Sequence, residues 1–412
     1  CPLRSSKCSL VAPQRYLSSM NDPILPTTNR RRSRAATLTA ACIATLLLAS
    51  CVTARSEVPQ VNWSEDPRLE DASLEEIAGG FRHPWALAWL DDGRMLVSER
   101  RGSLWLLSPD GATRREVGGV PQVFHAGQGG LLDLSVRTLD GQEWIYMTYA
   151  AGERSANRTE LARARLTEAD GSAPRLADRE MIAAVNAYKS GGQHFGSRIA
   201  WLPDGTMLVS IGDGGNPPLR YEGGLQREQA QSEETRFGSL LRLRPDGSIP
   251  ADNPFPDTAF FSIGHRNVQG LAVDPATGRI WVSEHGSRGG DELNLVRPGE
   301  NYGWPLVSHS REYLRGTPVS RYQTREGYVD PTMVWMETVA PSGLAIRDGV
   351  MYAGGLRSQA LHVIRTGPAA GFTDHRVLPV GARVRDVRVG PDGNIHLLTD
   401  EETTGRILRV ND

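Results

Sequence analysis

The stretch FSIGHRNVQGLAVDPATGRIWVSEHGSRGGDELNLVRPGENYGWP, residues 261–305, contains the pattern that decides the fold. Two short apolar runs, VQGLAV and RIWVS, flank a turn that ends at Gly278. β-branched and apolar residues on both sides of an Asp- and Gly-containing turn are typical of a β-hairpin. The second run leads into a polar, glycine-rich loop, EHGSRGGDE, where the backbone can approach a ligand closely.

The same pattern occurs six times along the chain. Each copy has a small apolar run, a turn with Asp-Gly or a similar pair, and a second apolar run; the six turn glycines are Gly93, Gly141, Gly205, Gly278, Gly349 and Gly393. The intervals leave room for two more strands per copy. The repeat therefore predicts an all-β fold, a six-bladed β-propeller of four-stranded antiparallel blades. A pair of β-sandwiches is the alternative architecture.

Extra length collects between the third and fifth hairpins, in two polar segments at residues 214–237 and 306–331. Long loops on a rigid scaffold are where binding sites are usually built. We therefore expect the functional site on the side of the propeller that carries these two segments.

Charge and cysteine are unevenly distributed. The chain of 412 residues has a formal net charge of −2, but residues 1–50 alone carry +6, which leaves −8 for the rest. This mildly acidic body gives no reason to expect nucleic acid as a partner. All four cysteines lie in the first 51 residues, so the body contains no disulfide and no thiolate metal site.

The basic run NRRRSR followed by AATLTAACIATLLLAS, residues 29–50, predicts an export signal. It ends in LASC, which resembles the lipobox of bacterial lipoproteins and would make Cys51 the lipid-carrying residue; an ordinary signal peptide is the alternative. Met20 is the expected start. The expected segments are an untranslated or signal region at 1–50, a tether at 51–70 and the propeller catalytic domain at 71–412. We expect a protein on the periplasmic side or in the cell envelope, touching a membrane only through its lipid anchor.

His194, in GGQHFGSRI just before the third hairpin, is the first candidate for chemistry. A histidine between glycines at a strand entrance can face a cavity and act as a base near neutral pH. A hydrogen-bonded structural histidine is the alternative at this point.

Arginines and oxygen ligands are the other candidates. Arg383 and Arg385 alternate with one valine and so share one face of a strand, where their guanidinium groups suit a polyanionic ligand. Solvated charges on an edge strand are the alternative. The loop at 284–304 offers carboxylates and backbone carbonyls without sulfur, which favours Ca²⁺ over Zn²⁺.

Several motifs together resemble one family, and they occur in one order: GQGGLLDL, QHFGSRI, SIGDGG, GSIPADNPF, GHRNVQG, SEHGSRGGDELN, GENYGWP and RDVRVGPDGNIHLLTD. The sequence resembles the soluble aldose sugar dehydrogenases that use pyrroloquinoline quinone (PQQ), six-bladed propellers related to soluble quinoprotein glucose dehydrogenase. The resemblance covers about Phe81 to Val410. It implies oxidation of an aldose sugar to a lactone, with PQQ and Ca²⁺ as cofactors and an external electron acceptor as partner.

The resemblance also implies roles for particular residues. His194 matches the general base, Asp213 the carboxylate that orients it, and Arg266 a group that polarises the quinone together with Ca²⁺. The positions that match cofactor contacts are Gln128, Arg266, Asn267, Arg357, Arg383, Arg385 and, more loosely, Thr399. The positions that match metal ligands are the carbonyls of Gly286 and Ser287 for the Ca²⁺ at PQQ, with Glu292 and the carbonyl of Tyr302 for a second Ca²⁺.

Two positions depart from the family pattern. Ser287 stands where proline is common, so the loop loses rigidity while its carbonyl ligand remains. Arg357 stands where lysine is usual, and its planar fork is not equivalent to an ammonium group. Two other functions stay open: a Ca²⁺-dependent propeller lactonase, which would hold a central cation with Asp, Asn and Glu side chains, and a propeller that binds a ligand without catalysis.

Overall fold

The computed structural model describes residues 57–168 and 172–412. The predictions for residues 1–56, including the signal region and the lipid-anchored Cys51, lie outside these described residues. None of the helices in the described ranges has the length and hydropathy of a membrane span.

The first three blades follow two short N-terminal strands. Those two strands are β1 (Gln60–Val61) and β2 (Ser73–Phe81), with a 3₁₀ helix, Trp63–Glu65, between them. Blade 1 contains β3 (Pro84–Trp89), β4 (Met95–Glu99), β5 (Leu104–Leu107) and β6 (Arg114–Glu116). Blade 2 contains β7 (Leu131–Leu139), β8 (Gln142–Glu153), β9 (Ala156–Thr167) and β10 (Arg175–Ala184). Blade 3 contains β11 (Ile199–Trp201), β12 (Met207–Ile211), β15 (Ser239–Leu243) and β16 (Phe260–Ile263), with β13 (Arg220–Tyr221), β14 (Gly224–Leu225) and a 3₁₀ helix, Gln226–Gln231, in its long insert.

The last three blades complete the ring. Blade 4 contains β17 (Val268–Val273), β18 (Ile280–Glu284), β19 (Asp291–Val296) and β20 (Met333–Trp335). Blade 5 contains β21 (Pro341–Arg347), β22 (Val350–Gly355), β23 (Ala360–Thr366) and β24 (Phe372–Pro379). Blade 6 contains β25 (Val384–Val389), β26 (Ile395–Thr399), β27 (Gly405–Asn411) and, as its outer strand, β2 from the N-terminal side. The first strand of each blade contacts the first strand of the next, and β25 contacts β3, which closes the circle.

The predicted six-bladed propeller is confirmed, and the turn glycines explain why the sequence predicts it. Each of the six glycines lies between the first and second strands of one blade, with φ between 69° and 86°. A positive φ is strained for most residues but not for glycine, and it gives these turns the twist that a hairpin needs. Between blades, apolar side chains of neighbouring sheets pack together, as Leu96, Leu134 and Met147 do between blades 1 and 2.

The N-terminal segment lies along the outside of blades 4 and 5. Strand β1 pairs in parallel with β20, and Leu69 N–H donates to the carbonyl of Val377 at 3.0 Å. His375 Nδ1 lies 2.7 Å from Asp66 Oδ2. Residues 57–69, part of the predicted tether at 51–70, therefore pack on the propeller; residues 51–56 lie outside the described ranges.

The propeller axis is occupied by a buried network of charged groups centred on Arg198. Its Nη1 lies 3.2 Å from Asp133 Oδ1 and 2.7 Å from Asp386 Oδ1, and the guanidinium stands 4.1 Å from the ring centroid of Trp85. Its Nε donates to the carbonyl of Gln269 at 2.7 Å. One side chain of blade 3 thus contacts blades 1, 2, 4 and 6.

Asp386 connects this network to blades 1 and 5. Its Oδ2 accepts a hydrogen bond from the backbone N–H of Leu87 in blade 1 at 3.0 Å. In blade 5, a Cβ added to Gly343 would come within 2.6 Å of Asp386 Oδ1, so only glycine allows this close approach. All six blades therefore meet at one buried set of charges.

We predict that Arg198→Met lowers the free energy of unfolding by ~3–5 kcal/mol, because it breaks a buried ion pair and leaves the carbonyls of Gln269 and Arg385 without this donor. Arg388, which also pairs with Asp133 and Asp386, remains in the variant. Arg376→Met is the matched control: Arg376 pairs with Asp374 on the surface, and exposed pairs contribute ~0–1 kcal/mol. Urea unfolding measures both. Equal losses in the two variants would show that the axial network contributes no more than a surface pair.

Candidate functional site

The site lies on the face where each inner strand begins and each second strand ends. Because the two strands of a hairpin are antiparallel, the start of the first and the end of the second lie side by side. His194 precedes β11 and Asp213 follows β12, its hairpin partner. The same arrangement brings residues from all six blades to one face around the axis.

His194 and Asp213 form a buried pair. His194 Nδ1 lies 2.6 Å from Asp213 Oδ1, and both side chains are buried. The other carboxylate oxygen of Asp213 accepts a hydrogen bond from Trp304 Nε1 at 2.7 Å. A carboxylate beside Nδ1 holds the proton on that nitrogen, which leaves the lone pair on Nε2. The structure thus brings the predicted base and its orienting carboxylate together.

The backbone around His194 is shaped for this contact. His194 has a φ of 48°, and its N–H donates to the side-chain oxygen of Gln128 at 2.7 Å. A Cβ on Gly212, just before Asp213, would lie 2.2 Å from the His194 carbonyl oxygen. Gly212 in the SIGDGG motif therefore allows the segments that carry His194 and Asp213 to be in contact. This steric requirement explains the glycine at this position of the motif.

The surroundings of His194 favour its uncharged form. Burial lowers the pKa of His194, the charge of Asp213 opposes this shift, and the charge of Arg266 adds to it. An imidazole that is uncharged near neutrality, with its lone pair on Nε2, has the protonation state that a general base requires.

Arg266 is connected to His194 through Asn216. Arg266 Nη2 donates to Asn216 Oδ1 at 2.7 Å, and Asn216 Nδ2 stands 3.4 Å from His194 Nε2. Arg266 Nη1 donates to the carbonyl of His285 at 3.0 Å, and Nη2 lies 3.4 Å from the Tyr313 hydroxyl. The guanidinium and the imidazole therefore face the same small region.

A cavity of about 280 Å³ opens on the axis beside this region. Its lining is rich in arginine and includes Trp85, Arg100, Gln128, Phe195, His285, Arg383, Arg385 and Asp400. Arg383 and Arg385 both point at Asp400, with nitrogen to Oδ2 distances of 3.6 Å and 3.0 Å. Three arginines against one carboxylate leave the cavity with an excess of positive charge, which suits an anionic ligand.

Buried nitrogen atoms without partners indicate where that ligand would bind. Among the described residues, the Nε atoms of Arg100, Arg266 and Arg385 and the Nδ2 of Asn267 have no hydrogen-bond partner. Buried polar groups are almost always paired. Of these residues, Arg100 and Arg385 line the axial cavity, where their guanidinium groups fit a ligand rich in acceptor oxygens, such as a polycarboxylate.

Four of the predicted cofactor residues are not in the lining of this cavity. Arg266 and Asn267 lie next to it, with Asn267 Oδ1 accepting from the N–H of Gly196 in the cavity wall at 3.2 Å. Arg357 and Thr399 lie away from it. Arg357 is exposed, and only its neighbour Leu356 belongs to the cavity wall. Thr399 is buried, but its hydroxyl donates to Glu401 Oε2 at 3.2 Å and accepts from Arg406 N–H at 2.9 Å. The structure brings neither side chain to the cavity wall, and their predicted roles stay predictions.

The predicted metal loop is held by Asp291. Asp291 Oδ1 accepts from Gly286 N–H at 2.7 Å, and its Oδ2 accepts from the N–H groups of Val339 and Ala340, both at 2.8 Å. Ser287 N–H donates to Ser310 Oγ at 3.2 Å. With the N–H groups held inside the protein, the carbonyls of Gly286 and Ser287 accept no hydrogen bond from the described residues. Free carbonyls of this kind fit a hard cation.

A second oxygen-rich cavity lies behind the loop. It has a volume of about 10 Å³ and includes Glu284, Gly286, Glu292 and Tyr302 in its lining. Burial and the neighbouring charge of Glu284 raise the pKa of Glu292 well above its ordinary value. Two carboxylates forced together in a buried space fit a cation between them. Among the described residues no group of three or more His, Cys, Asp or Glu side chains is placed to hold a metal, so backbone carbonyls would complete the coordination.

Fold and site together define a class of protein: a six-bladed propeller with an arginine-lined axial cavity and a buried His–Asp pair at its rim. The model of the glucose/sorbosone dehydrogenase family matches residues 81–409. The chain belongs to this family, and the resemblance inferred from the sequence motifs is confirmed.

Curated relatives agree with the family assignment. Aldose sugar dehydrogenase YliI of Escherichia coli is 32% identical over 357 residues, which covers 82% of this chain and 92% of that protein. Quinoprotein glucose dehydrogenase B of Acinetobacter calcoaceticus is 26% identical, with 83% of this chain and 88% of that protein covered. The protein slr1608 of Synechocystis sp. is 44% identical, with 81% and 85% covered.

Solved structures show the same fold. The soluble aldose sugar dehydrogenase of Escherichia coli in its apo form superposes with a TM-score of 0.75 at 31% identity, covering 82% of this chain and 99% of that chain. The PQQ-bound aldose sugar dehydrogenase of Streptomyces coelicolor gives 0.68 at 28% identity, with 82% and 98% covered.

Several site residues were not identified from the sequence. Asn216 and Tyr313 lie in the two long inserts, at 214–237 and 306–331, whose unusual length was the available signal. Trp304 is part of the GENYGWP motif, but nothing in its spacing indicates a contact with Asp213. Asp400 directly follows β26 and was overlooked, although the second strand of every blade ends on the face that carries the site.

We predict that Gly212→Ala destabilises the protein by ~1–3 kcal/mol and displaces His194, because the new Cβ would overlap the His194 carbonyl. Gly371→Ala is the matched control: it also lacks a positive φ, and its added Cβ meets nothing within 4 Å, so a change within ~0.5 kcal/mol is expected. Thermal unfolding and the histidine NMR signals measure both effects. An undisturbed His194 signal in Gly212→Ala would contradict this steric role.

Proposed function

We propose that this protein is a PQQ-dependent dehydrogenase that oxidises aldose sugars at the anomeric carbon to lactones and passes the electrons to an external acceptor. Its family consists of glucose and sorbosone dehydrogenases, and oxidoreductase activity follows from that membership. PQQ is supported by the name of the quinoprotein relative and by the PQQ-bound structural neighbour.

One observation carries the proposal: Nε2 of His194, whose contact is a long one from Asn216 Nδ2 at 3.4 Å, and the guanidinium of Arg266 face one region beside an arginine-lined cavity. Oxidation of a hydroxyl group to a carbonyl requires removal of a proton from oxygen and of a hydride from carbon. A neutral imidazole can take the proton. A bound PQQ would supply the electron-accepting quinone, and its carboxylates match the unpaired donors of Arg100 and Arg385.

The protein groups have separable roles in this reaction. His194 Nε2 accepts the proton of the anomeric hydroxyl, while Asp213 keeps the other proton on Nδ1 and stabilises the imidazolium that forms. Trp304 in turn holds Asp213 in place. Arg266 offers positive charge where negative charge develops on oxygen, in a site largely closed to water.

Calcium is the cation that best fits the two oxygen-rich sites. The carbonyls of Gly286 and Ser287 would hold one ion near the cofactor, and Glu292 with the carbonyl of Tyr302 would hold a second. Both sets contain only oxygen donors, which Ca²⁺ prefers and Zn²⁺ does not. The replacement of proline by Ser287 leaves the carbonyl ligand available.

The two other functions find less support in the geometry. A lactonase would need side-chain carboxylates and amides around an axial cation, whereas arginines dominate the axial cavity. A propeller that only binds ligands would have no use for a buried His–Asp pair beside Arg266. The electron acceptor and the attachment through Cys51 stay predictions from the sequence.

We predict that His194→Gln folds and binds PQQ but loses sugar oxidation by at least ~10²-fold, the usual effect of removing a general base. His396→Gln is the control: His396 is also buried, but it lies in the second strand of blade 6 with its ring against Trp89, and its turnover should be unchanged. Dye-linked oxidation of an aldose by PQQ- and Ca²⁺-loaded protein measures the rates. Full turnover in His194→Gln would refute the assignment of the base.

Removal of Ca²⁺ should lower the thermal stability. An ion that binds only the folded state adds ~2.7 kcal/mol at one hundred times its Kd, so a chelator should lower Tm in the wild type. Glu292→Gln should lose most of this response, whereas Glu326→Gln, at an exposed position, should keep it. Protons compete with the cation for Glu292, so the effect of Ca²⁺ should grow as pH rises. A chelator response of the same size in both variants would remove Glu292 from the site.

A further inference from the structure

Lysine is almost absent from this chain. Of its 46 Lys and Arg residues, only Lys7 and Lys189 are lysines, and Lys189 is the single lysine among the described residues. It is also buried, with 4% of its surface exposed. Lysine and arginine differ chiefly in that an ammonium group can lose its proton when buried, while a guanidinium stays charged. Almost all basic side chains of this protein are therefore guanidinium groups, and the ammonium group of Lys189 lies in the interior.

The ammonium group of Lys189 is held by uncharged groups. Its Nζ donates to Asn157 Oδ1 at 3.0 Å and stands 3.9 Å above the ring centroid of Phe195. The amide nitrogen of Asn157 donates to the carbonyls of Glu153 and Gly191, at 2.8 Å and 2.7 Å, so its oxygen is oriented toward Lys189. Within the described residues Lys189 forms no ion pair. The negative charge that acts on it is that of Asp213, which is not within ion-pair distance.

This unpaired charge lies next to the segments that carry His194 and Asp213. Phe195, under the ammonium group, is the residue after His194. Gly214 is the residue after Asp213, and a Cβ added there would come within 2.8 Å of Lys189 Cδ. The side chain of Lys189 therefore passes beside Gly214 and ends over Phe195, next to the backbone that presents His194 and Asp213.

We propose that Lys189 is a positioning residue of the His194–Asp213 pair, a buried ammonium group whose positive charge disfavours protonation of the His194 imidazole. The proposal rests on the function proposed for His194 as the base. In addition, Lys189 connects Asn157 in β9 to Phe195, next to His194, and so helps to fix the loop that carries His194.

The electrostatics of the region agree with this role. The charged and titratable groups that face His194 are Asp213, Arg266, His285 and Lys189. Burial is the main cause that lowers the pKa of His194; the charge of Asp213 opposes this shift, and the charges of Arg266 and, to a smaller extent, Lys189 add to it. Burial lowers the pKa of Lys189 itself to about 7, and the charge of Asp213 opposes this shift. Lys189 is thus protonated in the acid range where His194 would gain a proton, and its repulsion of the imidazolium is present there.

The experiment measures both titrations by NMR in the full chain without cofactor. With ¹³C-labelled lysine only two side-chain signals exist, and the one that disappears in Lys189→Met belongs to Lys189. With ¹³C-labelled histidine, His194→Gln identifies the His194 signal in the same way. We expect Lys189→Met to raise the titration midpoint of His194 by at least ~0.5 pH units, the scale of one nearby charge in a protein interior. Lys189→Arg should keep the midpoint at or below that of the wild type.

Kinetics provides the second readout. In PQQ- and Ca²⁺-loaded protein, the acid limb of kcat/KM should move to higher pH in Lys189→Met by the same amount as the His194 midpoint, and Lys189→Arg should restore it. A His194 midpoint that is unchanged in Lys189→Met, or that changes equally in Lys189→Arg, overturns the proposal. If Lys189→Met does not fold, Lys189→Gln, which can still bond Asn157, is measured in its place. A shifted midpoint in a protein that oxidises no sugar would support the role of Lys189 and contradict the proposed function.

Discussion

A ring of six blades must meet at its axis, and in this protein that meeting point is the guanidinium of Arg198. Two carboxylates, from Asp133 and Asp386, and backbone carbonyls of two further residues surround it. Buried charges are costly unless every donor and acceptor is paired. A blade shifted by one residue would leave some of these groups unpaired, so the network specifies the register in which the blades assemble as much as it adds to stability.

The register of the blades also fixes the positions of the site residues. The axial cavity lies beside Trp85, which also contacts Arg198, and Arg385 contributes its carbonyl to the network and its guanidinium to the cavity. His194 and Asp213 lie on loops, but each loop begins or ends at a strand that the axis fixes. The chemistry can therefore depend on loop residues without depending on loop flexibility.

The sequence contained much of this. Hairpin turns are local, so the six glycines at positive φ were visible as a repeat, and His194 with Asp213 flank one hairpin, so their meeting could be expected from strand order. Contacts between distant segments could not be read in this way. Tyr313 contacts Arg266 from another loop. Asp400 contacts Arg383 and Arg385 across a hairpin, and nothing in the sequence of its turn indicates this contact. Lys189 acts through Phe195 and Gly214, which are sequence neighbours of His194 and Asp213. The packing of residues 57–69 on blades 4 and 5 also depends on surfaces that exist only after the ring has formed.

The pairing of β2 with β27 has a consequence for the order of events during folding. Glu75 and Asn411, 336 positions apart, are joined by a hydrogen bond in blade 6. Until such partners meet, blade 6 lacks its outer strand and the circle has no fixed circumference. The cavity wall combines Trp85 from the first blade with Asp400 from the last, so it cannot exist in a partly built ring. Long-range closure of this kind is slow compared with local hairpin formation. The axial cavity is therefore a late product of folding, and a chain that is still open contains the family's sequence motifs without the cavity that they line.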